Sequence, residues 1–278
     1  IKMLSGLPLA FQNLNFSTGE GYWSGVNEQW WAGNAFLYRS GNDADKIILS
    51  ARIGPIAVTL MLIVFTYIFA LEIVGRWWAL LPAFLTGFSP IVLAHGHYVT
   101  TDTGAALGAM LAIFYFVRGL LNRNGKNLIS AGLAFGFAQA VKFSSVLLIP
   151  LFIFLSLAYF GVTVFHEWPS VISEDRFRKF FRKFREISLS LIGTVFIGYA
   201  MVVYPLYLYS VWDYPVEKQV ADTEFLLQNF GFRPAASLDI RMSGDEILRP
   251  FAQYLLGVLM VFQRQAGGNG AFFLGQLS

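Results

Sequence analysis

Residues 127–165 read NLISAGLAFGFAQAVKFSSVLLIPLFIFLSLAYFGVTVF, an apolar run of 39 residues with a single charge, Lys142. As one straight helix it would be about 58 Å long, roughly twice the hydrocarbon thickness of a bilayer. Its flanks decide what it is. Arg118, Arg123 and Lys126 precede it, and Arg176, Arg178, Lys179, Arg182, Lys183 and Arg185 follow it. Clustered basic residues mark the cytoplasmic side of a membrane. Both ends are therefore expected inside, and the run is a hairpin whose turn, Lys142-Phe143-Ser144-Ser145, faces out.

The rest of the chain falls into place around this hairpin. Of its 278 residues 56% are hydrophobic and only 13% charged, about half the charge of an ordinary soluble domain. Apolar runs at 48–74, 77–99 and 103–121 precede the hairpin, and one at 187–209 follows it. Six crossings are expected, placing residues 1–47, 97–102 and 211–278 on the outer face. The inner loops then hold 10 of the 20 Lys and Arg residues. The expected fold class is all-α: a polytopic helix bundle over 48–210 with outer-face loops and juxtamembrane helices. Gly104/Gly108 and Gly132/Gly136 lie four apart, the spacing that lets helices approach closely in lipid.

Two segments are expected to lie along the membrane. RFRKFFRKFRE (176–186) places Phe177, Phe180, Phe181 and Phe184 on one face and its basic residues on the other, the pattern of an interfacial anchor. PFAQYLLGVLMVF (250–262) is apolar but too short to span, and reads as a re-entrant or interfacial helix. GYWSGVNEQWWAGNAFLY (21–38) mixes aromatic and polar groups, which suits a membrane interface and equally a sugar- or lipid-binding surface.

With no cysteine there is neither a disulfide frame nor a thiolate metal site. No phosphate-binding glycine loop or dinucleotide fingerprint is present, so soluble nucleotides are not indicated, and neither is nucleic acid. NDAD (42–45) contains a D-x-D, a spacing that can hold a metal, but it stands where a helix begins, and capping is the preferred reading. The outer mouth carries the chemistry-bearing residues. In LAHGHYVTTDTG (93–104), Asp102 follows Thr100 and Thr101 at the head of an apolar run, and fits both a helix cap and a base or cation ligand. His95 and His97, two apart, do not share a helical face and make a poor metal pair unless the helix has ended. Arg52 lies about two turns into a helix, where a cation needs an anion or must snorkel outwards; a lipid phosphate is the natural anion at that depth. Lys142 has the same two readings.

SPIVLAHGHYVTTDTGAAL (89–107) resembles the signature stretch of the dolichyl-phosphate-mannose protein O-mannosyltransferases, glycosyltransferase family 39. LYRSGNDADKIILSARIGPIAVTLML (37–62), AGLAFGFAQAVKFSSVLLIPLF (131–152) and YLLGVLMVFQRQAGGNGAFFLGQLS (254–278) resemble further blocks of that family, the first two supplying the arginine and lysine that match Arg52 and Lys142. The resemblance implies a GT-C membrane fold, with 1–278 as one partial domain. It implies inverting transfer of a sugar, mannose above all, from a polyprenyl- or dolichyl-phosphate donor. The acceptor is a hydroxyl of a secreted protein or a glycolipid on the outer face. It assigns Arg52 and Lys142 to the donor phosphate and Asp102 to the role of supporting carboxylate. His95, His97 and Thr101 would position substrate; a divalent metal is left open. The family's acidic pair and His-Pro-Pro run precede the point at which IKMLSGLPLAF begins, so the chain is expected to be a fragment, cut at both ends and inactive alone, with its main base upstream. A bacterial or archaeal plasma membrane is favoured over the endoplasmic reticulum. Intramembrane charge also suits a secondary transporter, although no internal repeat is evident. A non-catalytic scaffold is the third reading.

Overall fold

The computed structural model describes residues 1–19, 21–167, 176–267, 272–273 and 276–277. It is helical apart from one antiparallel pair of two-residue strands, β1 (Phe272–Phe273) and β2 (Gln276–Leu277). The rest of the closing FFLGQLS block lies outside the described residues. Among those described, four helical stretches are long and apolar enough to cross a membrane: Ala44–Val74, Asp102–Leu121, Phe143–His166 and Phe177–Val211. This is a polytopic integral membrane protein, with four such stretches where six crossings were expected.

The difference has local causes. The expected crossing at 77–99 is two short helices, α6 (Leu80–Gly87) and α7 (Pro90–His95), in the numbering that counts every α-helix from the N-terminus. Pro90 has no N–H to continue a helix, and it pushes Ser89 into an extended conformation with ψ 124°. The first arm of the hairpin, α9 (Gly125–Val141), has 17 residues and is about 25 Å long, just under a full crossing. It ends where the sequence placed the turn. Lys142 is extended, Phe143–Leu147 form a 3-10 turn, and α10 (Leu148–Glu167) follows.

The chain divides into two compact units, 1–110 and 111–278. In the first, α4 (Ala44–Ala51) runs through Arg52 into α5 (Ile53–Val74). A side chain at Gly54 would stand 3.0 Å from the backbone of Leu4 and Ser5, so its absence lets α1 (Lys2–Gly6) lie against the start of α5.

In the second unit α9 packs on α11 (Arg176–Gly198) through glycine. A Cβ at Gly132 would fall 2.5 Å from Ile197, and one at Gly136 2.6 Å from the Gly198 carbonyl. The expected small-residue seam at 132 and 136 is thus a helix interface, with Gly198 as its partner. Phe116 and Phe152 stack beside it at 4.0 Å. α11 passes through a π-helical segment, Tyr199–Val203, into α12 (Tyr204–Val211). Pro205 follows directly, and a widened turn ahead of it absorbs the hydrogen bond that proline cannot make.

Of the two segments expected along the membrane, the second docks on protein, while the first touches protein along one edge and keeps Phe177 and Phe181 exposed. The basic stretch 176–186 is continuous with α11, and its Phe180 and Phe184 meet Phe160 of α10 at ring distances of 5.0 and 5.9 Å. Lys183 stands over Tyr159, and Glu186 pairs with Arg123. The apolar stretch 250–262 lies in α15 (Arg249–Ala266), which buries Tyr254, Leu256, Val258 and Leu259. It packs with α13 (Val216–Leu227) and α14 (Arg233–Ser243) around Leu227, Phe230 and Ala236.

Asp239 is anomalous in this three-helix layer. It shows no exposed surface, and neither carboxylate oxygen has a hydrogen-bond partner. Nearby Asp222 is held by Lys218 and Tyr214, and Arg249 binds Gln219. Burial alone pushes the Asp239 carboxyl up to about 7. Below about pH 4 it is protonated in folded and unfolded chains alike. From there to about pH 7 only the unfolded chain ionises, so the stability contributed by the neutral carboxyl is lost as pH rises. Asp239→Asn is expected to flatten this slope. Thermal midpoints of the two proteins, compared across pH 4.5 to 7.5, check it; parallel curves would show that Asp239 is not the group responsible.

Candidate functional site

The site residues in the first unit are positioned by three helix ends. Asp43 caps α4, its carboxylate accepting the Lys46 N–H at 3.0 Å, so this acid of the D-x-D serves the helix, as expected. Nine residues later α4 meets α5 at Arg52, whose guanidinium carbon lies 5.7 Å from the centre of the Tyr98 ring. Such a cation–π contact keeps the charge on one bearing while its N–H groups stay available.

Tyr98 belongs to the loop after α7, and that loop is tied down at Gly96. The Thr59 hydroxyl lies 2.9 Å from both the Gly96 and Pro55 carbonyls, able to donate to either. A Cβ at Gly96 would sit 2.5 Å from the Val92 carbonyl and 2.9 Å from Thr59, so only glycine fits between the two histidines. α7 has ended by then, and the histidines part. His97 Nδ1 is 3.0 Å from the Leu93 carbonyl and therefore carries the proton, leaving Nε2 as the lone pair of the neutral ring. Its ring lies 4.2 Å from that of Tyr98.

His95 instead lines a cavity of about 310 Å³ together with Asp102 and Thr103, walled by Leu62, Ile91 and Val92. Thr101 takes the position before α8 (Asp102–Leu121): its carbonyl accepts the Ala105 N–H at 2.8 Å, the first bond of the helix. Asp102 falls in the first turn, where a negative charge favours the helix dipole. Thr103 is buried and its hydroxyl has no partner, at a cost of about 1–3 kcal/mol. The structure thus brings His95 with Asp102, and Arg52 with Tyr98 and His97. Sequence reasoning passed over Tyr98 and Thr103. Tyr98 stands in the HGHY stretch, but its partner is apparent only once the chain folds back.

Lys142 lies in the second unit, at the turn between α9 and α10. The turn is held from three sides. The Lys142 carbonyl accepts the Ser145 N–H at 3.0 Å. Gln139, 1% exposed, donates to the Ser145 carbonyl at 2.8 Å and accepts from Tyr254 Oη at 2.7 Å. Phe143 occupies the space left at Gly257, where a Cβ would lie 2.1 Å from its ring. Gln139 and Tyr254 are further residues that the sequence did not single out. Among the described residues no group of three or more His, Asp or Glu is placed to hold a metal ion.

Residues 44–172 match the family model described as dolichyl-phosphate-mannose-protein mannosyltransferase. Arg52, His95, His97, Thr101, Asp102 and Lys142 all fall inside the matched segment. No curated protein and no solved structure matches the chain.

Proposed function

We propose, from the membrane glycosyltransferase domain of the dolichyl-phosphate-mannose-protein mannosyltransferase family that residues 44–172 carry, that the protein moves a sugar from a polyprenyl-phosphate donor to a hydroxyl acceptor at the outer face of a membrane. The sugar is mannose, the acceptor a protein Ser/Thr or a glycolipid, and the fold of the GT-C type. The observation that carries the reading is the family match over residues 44–172, within which His95 and Asp102 line one largely apolar cavity.

The chemistry asks for few groups. The acceptor hydroxyl attacks the anomeric carbon from the face opposite the phosphate. The bond from that carbon to the phosphate oxygen breaks, the configuration inverts, and the hydroxyl proton passes to a carboxylate. Charge grows on the departing phosphate; the family resemblance assigns Arg52 to stabilise it, and separately assigns Lys142 the same role. Asp102 is the supporting carboxylate beside the attacking hydroxyl, with His95 and Thr101 positioning substrate. His97 keeps the Tyr98 ring, and through it Arg52, in place.

The test is transfer from a radiolabelled polyprenyl-phosphate-mannose in membranes containing the protein as its full gene encodes it, because 1–278 alone is expected to lack the main base. Asp102→Asn keeps the shape of the side chain while removing the charge. It is expected to lower turnover by about 100-fold with an unchanged melting midpoint. Turnover within about threefold of the parent would remove Asp102 from the chemistry. Absence of any transfer by the parent protein would remove the proposed activity.

A further inference from the structure

The segment ahead of α4 contains a second cavity that the transfer reaction does not use. Two stretches, 12–17 and 35–42, are cross-tied by their asparagines. Asn15 N–H donates to Asn42 Oδ1 at 2.8 Å. Asn42 Nδ2 donates to the carbonyls of Asn15 and Phe36, at 2.8 and 2.7 Å, and Asn15 Nδ2 to that of Ser40 at 3.2 Å. Gly41, at φ +73°, turns the chain between these anchors in a conformation that L side chains rarely adopt. α2 (Gly21–Ser24) and α3 (Gln29–Tyr38) complete the walls. Phe16 locks against Trp23 and Phe36 at ring distances of 5.3 and 5.4 Å, and the Tyr22 hydroxyl donates to the Ser17 carbonyl.

The cleft they form is open to one side and holds about 870 Å³, within the range of small-molecule sites. Asn15, Ser40, Glu28 and Arg39 present amide, hydroxyl, carboxylate and guanidinium groups to it, and Tyr22 and Trp31 present aromatic rings. This lining selects among ligand classes. An acyl chain would set the Glu28 carboxylate and the Arg39 guanidinium against hydrocarbon, which is costly. A phosphate would meet Arg39, the sole cation among the described lining residues, with Glu28 repelling it. A cationic ligand meets the reverse difficulty. An uncharged polyol meets none of these. The C–H face of a pyranose covers an indole or phenol ring, while its hydroxyls both donate and accept, satisfying Glu28, Arg39, Asn15 and Ser40 together.

We propose that this cavity binds an uncharged glycan, a short chain of neutral pyranoses, through Trp31 and Tyr22 as stacking surfaces and Glu28 and Arg39 as hydroxyl partners. The site is independent of the transfer chemistry, and its test needs no donor. The purified full chain in detergent is titrated calorimetrically with mannotriose, cellotriose and triacetylchitotriose, and in parallel with inorganic phosphate and decanoate. At least one trisaccharide is expected to bind saturably in the millimolar range or tighter. Trp31→Ala and Glu28→Gln should each weaken that binding at least tenfold without shifting the melting midpoint. Asp102→Asn should leave it intact, even where that variant has lost transfer. No saturable binding of any trisaccharide overturns the proposal. Equal binding by the Trp31→Ala and Glu28→Gln variants, or preference for phosphate or decanoate, overturns it as well.

Discussion

Arg52→Ala is expected to lower transfer from a polyprenyl-phosphate-linked sugar by about 100- to 1,000-fold, the cost of removing one fixed charge partner from a transition state. The loss should fall on turnover more than on donor affinity. The lipid tail supplies binding in both variants, whereas the cation acts on charge that grows as the phosphate departs. Arg52→Lys should recover only part of the rate. A lysine ammonium is compact and strongly hydrated, and it does not stack as a planar guanidinium does over the Tyr98 ring 5.7 Å away. Tyr98→Leu then provides the decisive comparison. It leaves the charge in place and removes the ring that orients it, so an intermediate loss is expected in the Arg52 background and little further loss in Arg52→Ala. Turnover and KM measured for the four proteins check this. Full activity in Arg52→Ala would detach the arginine from the donor phosphate, and additive losses in the double variant would show that Tyr98 acts elsewhere.

Gly198→Val is expected to give the largest loss of stability. A Cβ there would lie 2.6 Å from the Phe135 ring, 2.8 Å from the Gly132 carbonyl and 3.0 Å from the Gly136 amide nitrogen. Two of these three are backbone atoms of the facing helix and cannot swing aside. α9 and α11 would have to separate, and overpacking of this kind costs about 1–3 kcal/mol or more. Gly193→Ala on the same helix is the comparison. Its nearest neighbours are Leu128 side-chain atoms at 3.3 and 3.4 Å, which can shift, so it should change little. Thermal midpoints of the detergent-solubilised proteins should separate the two by several degrees. A Gly198→Val protein as stable as its parent would mean that the helices do not approach as closely as described. On the role proposed for Lys142 at the donor phosphate, the same loss should carry to function, because α9 ends beside it.

Much of this architecture was legible in one dimension. The turn at Lys142, the cap at Asp43 and the close seam at Gly132 and Gly136 each depend on residues within a few positions of one another. The break at Ser89-Pro90 was written just as locally, in the missing proline N–H, but the hydropathy of 77–99 averages over it, which is how two short helices passed for one crossing. The basic helix at 176–186 and the apolar one at 250–262 were recognisable as amphipathic. Amphipathicity says that a face must be covered and not by what. Phe160 meets one edge of the first and leaves Phe177 and Phe181 exposed, whereas the α13–α14 layer and the turn around Phe143 cover the second.

The sequence by itself determined the membrane class, the approximate ends of the helical stretches at 44–74, 102–121, 125–141 and 148–167, and a set of residues able to do chemistry. These follow from transfer free energies and backbone geometry, which act over a turn or two of chain. Only the tertiary structure decided which of those residues meet. It put Tyr98 over Arg52, set His95 and Asp102 in one cavity, and braced the Lys142 turn with Tyr254, 115 residues from Gln139 in sequence. It also left the Asp239 carboxyl buried without a partner. Contacts between distant segments depend on how several helices pack at once, and no local pattern of residue types encodes that.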